Sequence, residues 1–512
     1  MRRTKELGYY LSIFFLFLFF FFIVDKLPFS ELRSYKPFIY DEGRAENFLV
    51  DFLTYLSNRS YHPYYLQKSL GFLIVGPILK LIYYFDLTNL EIRTLLHGSM
   101  GVFNALCLTV ASYYLMKIRV FSAQRNKLKF WTLIYINFGF CIFLSYYSIL
   151  GEIVSFTVSC GMLYYFLSAR YLPLFITIVL SSLANPLLFL TSGLIFSFER
   201  KNHESLSFRK IASKNKRYIL TFLLFAICFL LFSYGQFYAD SEILKINIAW
   251  GWPYFFPFWI RIISLILLLP FLYFIAGLFP LERALSTLKN LAARINFVRL
   301  FIWLSLVVVN KGYVSCFSKN MNLQDWHTNF DFTFLKGITT LVLYASSKPF
   351  ANIIGYFLFF GVLTGVFIFG QKKICRFIQL QNLPFALFFT SNAFVLLMDP
   401  EGRHVLYFYP WVLFAIFSSC GQYLEKMSLK FVLILNLIVT FHWLPFRILD
   451  PAIEATSSFF LTSLGAALTP KTYVYSACLF GLFLWIIYKF QIKPLAFNNA
   501  EKRRAIKSGL KP

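Results

Sequence analysis

A chain of 512 residues that is 58% hydrophobic and only 14% charged, with a mean hydropathy of +0.64, is too apolar for a water-soluble fold of its size. Its net charge of +26 would suit a nucleic-acid partner, but the basic residues cluster in short segments between apolar runs, which is the pattern of cytoplasmic loops and argues for no nucleic acid. The eight cysteines form no CxxC pair and all but Cys316 and Cys375 fall in apolar runs, which excludes a disulfide framework or a thiolate metal site.

The first apolar run, Tyr9 to Val24, follows Arg2, Arg3 and Lys5, as in a signal peptide. It lacks a small-residue cleavage site and further spans follow, so residues 1–24 read as a retained first transmembrane helix. Residues 25–93 form a long external loop. Residues 94–490 form a transmembrane bundle, and 491–512 a basic cytoplasmic tail. After 8–24, the candidate spans are 94–116, 129–147, 151–168, 171–198, 217–236, 258–279, 297–310, 350–370, 382–398, 404–421, 428–446 and 472–490. The expected fold class is all-α: a polytopic integral membrane protein of about 13–14 transmembrane helices, with amphipathic surface helices in the first external loop.

Charge decides two ambiguous segments. The loop 117–129 carries Lys117, Arg119, Arg125, Lys127 and Lys129 and belongs inside. If the apolar stretch 69–85 crossed the bilayer, that loop would fall outside. Residues 69–85, with Pro77 and Lys80, therefore read as a helix on the outer membrane surface. The loop 199–217 holds seven basic residues and also belongs inside, so the 28 residues of 171–198 must go out and return. Ser181-Ser182-Leu183-Ala184-Asn185-Pro186 offers the break, and two half-helices meeting near Asn185-Pro186 are expected. The segments 1–7, 117–129, 199–217, 280–299, 371–376, 425–430 and 493–512 are then cytoplasmic, with 30 Lys/Arg against six acids. The loops 237–257, 311–349 and 447–470, and the turns near 148–152, 185–186 and 399–403, are external. No internal repeat of the kind that builds many transporters is visible.

The acids are mostly external, and the adjacent pair Asp41-Glu42 is the most conspicuous. Asp41 precedes Ala45, Phe48, Leu49, Phe52, Leu53 and Leu56, an apolar face at helical spacing. It reads either as the N-cap of that surface helix or as a group held near the lipid headgroups for chemistry. Arg44 shares the helix face and either pairs with Asp41 or contacts phosphate. His62-Pro63-Tyr64-Tyr65 opens the second surface helix, with Pro at a helix start. Glu152 lies at a short external turn, where it is either an ordinary turn residue or a partner of Asp41. Arg403 and His404 lie at the outer end of a late span, where an arginine either anchors the helix at the headgroups or binds phosphate. His97 and His442 read as core histidines; Asp325-Trp326-His327 and Trp250-Gly251-Trp252-Pro253 lie in external loops that could shape an acceptor site.

Asp41-Glu42 in the first external loop, followed by His62-Pro63-Tyr64-Tyr65, resembles the GT-C superfamily of membrane glycosyltransferases, which includes the protein O-mannosyltransferases and the lipid A aminoarabinose transferases. Glu401-Gly402-Arg403-His404-Val405-Leu406-Tyr407-Phe408-Tyr409-Pro410 is similar to that family's late Arg-Tyr segment ending in Pro, with His404 in place of the usual Tyr. The chain departs in lacking the second Pro and the Leu of the family's His-Pro-Pro-Leu-Tyr-Tyr stretch. The resemblance covers most of the chain in layout but only these stretches in sequence.

The resemblance implies an enzyme that moves a sugar from a polyprenyl-phosphate donor to a hydroxyl acceptor on a glycan, lipid or protein, on the non-cytoplasmic face of a membrane and with inversion. It implies catalytic roles for Asp41 and Glu42, with Asp41 as general base or metal ligand. Arg44, His62, Glu152, Arg403 and His404 would bind substrate, and Asp41 with Glu152 would hold a divalent cation if one is used. The membrane expected is the bacterial inner membrane, with the endoplasmic reticulum second. The competing expectation is a transporter or flippase, or a polymerase or ligase, of lipid-linked saccharides. The near absence of acids inside the spans disfavours transport.

Overall fold

The computed structural model describes residues 2–26, 66, 68–84, 92–141, 144, 151–199, 214–239, 256–279, 295–318, 334–398, 405–440 and 470–492. They are overwhelmingly helical. In chain order the helices are α1 (Arg2–Lys26), α2 (Leu70–Tyr84), α3 (Ile92–Lys117), α4 (Lys127–Tyr135), α5 (Glu152–Leu167), α6 (Tyr171–Ser182), α7 (Pro186–Ser197), α8 (Lys214–Ala239) and α9 (Phe258–Ile266). There follow α10 (Leu269–Leu278), α11 (Phe297–Ser318), α12 (Phe334–Ala345), α13 (Ala351–Phe360), α14 (Val362–Leu380), α15 (Leu383–Met398), α16 (Tyr409–Lys426), α17 (Leu429–Thr440) and α18 (Pro470–Ile487). Among the described residues, the single strand-like contact is an isolated bridge between Phe198 and Ile295.

Six stretches are long and apolar enough to cross a bilayer: α1, α3, α8, α9 with α10, α11 and the run from Tyr473 to Phe490. The others are shorter. At 15 residues α2 falls below the roughly 20 that a span requires. The apolar surface is also turned outward. Large side chains on α1, α8 and α11, including Phe19, Phe222, Phe301 and Val308, are more than half exposed.

Several predicted spans are broken where a local group offers the backbone another partner. The run 129–147 is not one helix: α4 ends at Tyr135, and Asn137 accepts from Phe140 N at 3.1 Å to start a separate turn, Phe138–Cys141. The run 258–279 divides at Leu267-Leu268, with Pro270 in the first turn of α10. The run 350–370 divides at Gly361, whose φ of 58° and ψ of −128° suit glycine. A Cβ there would lie 2.6 Å from Asn436 Oδ1, which accepts from Val362 N at 3.1 Å and so starts α14.

Two loop expectations are overturned. Residues 371–376 are not a loop: α14 runs through Lys372, Lys373 and Arg376 to Leu380, and the Lys373 ammonium lies 4.1 Å from the Tyr423 ring centroid. The described parts of 311–349 are mostly helical: α11 continues to Ser318, and α12 forms against α8 and α15. The expected break in 171–198 is present: α6 ends at Ser182, and Asn185 caps α7 by accepting from Leu188 N at 3.0 Å, with Pro186 as the first helical residue.

The core lies where α5, α13, α15 and α16 meet. Trp411 is fully buried, 4.3 Å from Phe388 between ring centroids, and donates to Ser159 Oγ on α5 at 3.1 Å. Tyr409 stacks on Phe360 at 4.4 Å. The ends of the helices are tied in two sets. At one end Lys129 Nζ donates to the carbonyls of Leu424, Glu425 and Met427, each at 2.9 Å; Arg217 donates to Tyr273 O and Gln379 to Gly277 O. At the other, Leu70 N donates to Leu183 O and Asn310 to Ser182 O. Lys129 and the carbonyls of Glu425 and Met427 lie in two segments that charge counting expects on the inner side.

Candidate functional site: a buried carboxylate at the start of α5

Of the sequence-derived site residues, Glu152 lies within the described structure. Asp41, Glu42, Arg44, His62, Arg403 and His404 lie outside the described residues, as do the first surface helix and the tail after Ile492.

Glu152 is the first residue of α5. Gly151 before it adopts φ 73° and ψ 3°, a left-handed conformation that glycine takes without a steric penalty. It also lets the chain approach Lys68, whose carbonyl would be 3.4 Å from a Cβ at that position. Glu152 is 4% exposed, and its Oε1 accepts from Lys68 Nζ at 2.7 Å; Lys68 is 6% exposed. The positive end of the α5 dipole also favours a carboxylate there. Glu152 Oε2 has no hydrogen-bond partner among the described residues.

Hydrogen bonds tie together the backbone around this pair. Ser155 Oγ, one turn into α5, donates to Ala184 O at 2.8 Å or to Gly151 O at 3.1 Å. Leu70 N donates to Leu183 O at 2.9 Å, and Ser69 Oγ to Leu66 O at 2.8 Å. Lys68 and Leu70 thus bind this segment both to the start of α5 and to the tip of the α6–α7 hairpin. That tip is itself fixed by the Asn185 cap and by Asn310 of α11, which donates to Ser182 O at 3.0 Å.

The late segment approaches the same helix. Val405–Phe408 forms a buried turn into α16, and Tyr409 packs against Phe156 of α5, with ring centroids 6.2 Å apart. The helix that Arg403 and His404 precede therefore starts beside α5, one turn beyond Glu152.

Comparison with protein families, with curated proteins and with solved structures found no match. The chemical reading therefore stands on the residues themselves. A carboxylate with one oxygen committed to an ammonium and the other buried and unpartnered among the described residues has the capacity to accept a hydrogen bond from a hydroxyl or amine, or to be one ligand of a cation. Among the described residues no group of three His, Cys, Asp or Glu is placed to hold a metal. Glu152 alone would supply too few ligands, and Asp41, its expected co-ligand, is outside the described residues.

Sequence reasoning missed Lys68. Its signal was present: one lysine between Gln67 and Ser69 at the head of an apolar stretch, where a charge needs a partner. The identity of that partner, 84 residues away, was not legible.

Proposed function

We propose that the chain is an integral membrane glycosyltransferase of the GT-C type, moving a sugar from a polyprenyl-phosphate donor to a hydroxyl acceptor at the non-cytoplasmic ends of its helices. The observation that supports it most is the buried, ion-paired Glu152, whose second oxygen is unpartnered among the described residues, tied through Lys68 to the same first-loop segment that carries Asp41-Glu42 and His62. Membrane integration is supported by the six long apolar stretches and by the exposed apolar surface of α1, α8 and α11.

In this reading Asp41 takes the proton of the acceptor hydroxyl as its oxygen bonds to the anomeric carbon. The bond from that carbon to the phosphate oxygen breaks, and the lipid phosphate leaves with the electron pair. Inversion follows from a single displacement. Arg403 and His404 compensate the charge that develops on phosphate, and Arg44 and His62 contact donor or acceptor. Glu42 supports Asp41, and Glu152 accepts a hydrogen bond from the acceptor. Asp41 and Glu152 are the residues that would hold a divalent cation, if the reaction uses one, and it would supply charge compensation for the leaving phosphate.

The test is transfer by the purified protein in lipid nanodiscs, supplied with a radiolabelled polyprenyl-phosphate sugar. Release of polyprenyl phosphate is expected, abolished in Asp41→Ala at unchanged expression. Undiminished transfer by Asp41→Ala would sink the assignment. So would movement of a lipid-linked saccharide across vesicles without any release.

A further inference from the structure

Helix α11 carries a charge well inside an apolar stretch. In the six stretches long enough to cross a bilayer, every other Asp, Glu, Lys or Arg lies within three positions of an end. Lys311 lies six positions from Phe317 and fourteen from Phe297. It is exposed, and it makes no hydrogen bond or ion pair among the described residues. A cation so placed is costly in lipid, and it calls for a partner of opposite charge.

The contacts of α11 set the depth of Lys311. Along its inner half α11 packs on α7, where the Trp303 ring covers Gly193. Further out, Asn310 donates to Ser182 O at 3.0 Å, at the tip of the α6–α7 hairpin. The Tyr313 hydroxyl reaches Ser69, the residue after Lys68. Ser155 of α5 donates to Ala184 O at the same tip, so Lys311 stands level with the first turn of α5, where Glu152 lies. Gly71 meets Met100 and Phe103 of α3 at that level, and Phe21 of α1 packs over Gly101. Asp25, the first charge after the apolar run of α1, is four residues beyond Phe21, roughly 6 Å further out. Lys311 is thus rooted about one helical turn below the outer edge of the apolar layer. A lysine side chain spans that distance and carries its ammonium to the headgroups.

The two faces of α11 differ. Asn310 and Tyr313, at i and i+3, share the face turned to the hairpin and to Ser69. Lys311 belongs to another stripe, Phe301, Leu304, Val308, Lys311 and Ser315, all exposed and spaced alternately by three and four. The inner part of that stripe is apolar and its outer part polar. A lipid lying on it meets apolar side chains along its tail and an ammonium at its head. The headgroup that complements an ammonium is an anion, and phosphate offers several acceptor oxygens to its N–H donors.

We propose that this stripe docks the lipid donor, with Lys311 paired to the phosphate and the polyprenyl tail along Val308, Leu304 and Phe301. The identity of the lipid rests on the glycosyltransferase reading. Lys311 holds the donor before transfer and takes no part in the displacement. The donor phosphate then waits at the level of Glu152, on a helix whose other face is bound to Ser69 and Ser182.

The experiment titrates the full-length protein, in nanodiscs of phosphatidylcholine, with farnesyl phosphate and reads the rise in unfolding temperature. Farnesyl phosphate should stabilise the protein and farnesol should not. Lys311→Gln, on an exposed face, should weaken farnesyl phosphate binding by roughly tenfold or more, the loss of one charge-assisted contact. Lys311→Arg should keep most of the binding. Lys471→Gln, at the exposed start of α18 on the same expected side, should leave it unchanged. Equal weakening by Lys311→Gln and Lys471→Gln would overturn the proposal in favour of unspecific charge attraction. Unchanged binding in Lys311→Gln, or equal stabilisation by farnesol and farnesyl phosphate, would overturn it too. Phosphatidylglycerol competing with farnesyl phosphate one for one would overturn the polyprenyl assignment in favour of bulk anionic lipid. The binding readout needs no turnover, so the two readings fail separately. Binding lost in Lys311→Gln, in a protein that never releases polyprenyl phosphate, sinks the transferase reading alone. Transfer by Lys311→Gln at unchanged KM sinks the docking surface alone.

Discussion

Lys68 and Glu152 form the most consequential single contact in the described structure. A buried pair adds little net stability, but removing one partner strands the other charge at a loss of roughly 3–5 kcal/mol. Glu152→Gln and Lys68→Met are each expected to lower the unfolding temperature in detergent, and the double variant should recover much of the loss. Additive losses in the double variant would show that the two residues are not coupled in the folded protein. Gly361 makes a different demand. Its φ of 58° and the 2.6 Å approach of Asn436 Oδ1 leave no room for a Cβ. Gly361→Ala should destabilise the protein by about 1–3 kcal/mol, read by the same unfolding measurement.

At the scale of elements, the α6–α7 hairpin supports the site from behind, and its turn depends on one cap. Asn185→Ala should cost about 1 kcal/mol, whereas Asn185→Asp should keep most of the stability. If Asn185→Ala unfolds at the wild-type temperature, the cap does not hold the hairpin. This hairpin was legible in the sequence because an Asn-Pro step terminates one helix and starts the next through contacts within a few residues. The division of 350–370 was not, since the Gly361 break is made by Asn436, far along the chain on α17. The course of α14 was misread for another reason. Lys372, Lys373 and Arg376 resemble a loop when only charge is counted, but a helix end can carry such residues on its exposed face, and Lys373 rests against Tyr423. α12 was passed over because at 12 residues it is too short to span, and its packing against α8 and α15 is not written locally.

For the whole molecule, the 30 basic residues of the expected inner segments predict one sidedness. Ser122, exposed at the basic end, provides a probe. With the exposed Cys316 and Cys478 replaced by Ser, Ser122→Cys should react with an impermeant maleimide in inside-out vesicles and not in right-side-out cells. Labelling from outside would invert the topology and with it the proposed position of Glu152.

The sequence by itself determined the helical, apolar character of the chain, the grouping of its basic loops and the break before Pro186. Each depends on composition or on neighbours within a turn of helix. It also pointed to Glu152 as a carboxylate worth watching. Only the tertiary structure decided that Glu152 is buried against Lys68 and that Gly361 yields to Asn436. Those pairings join residues tens of positions apart, and the helix packing that brings them together is encoded across the whole core rather than at either partner.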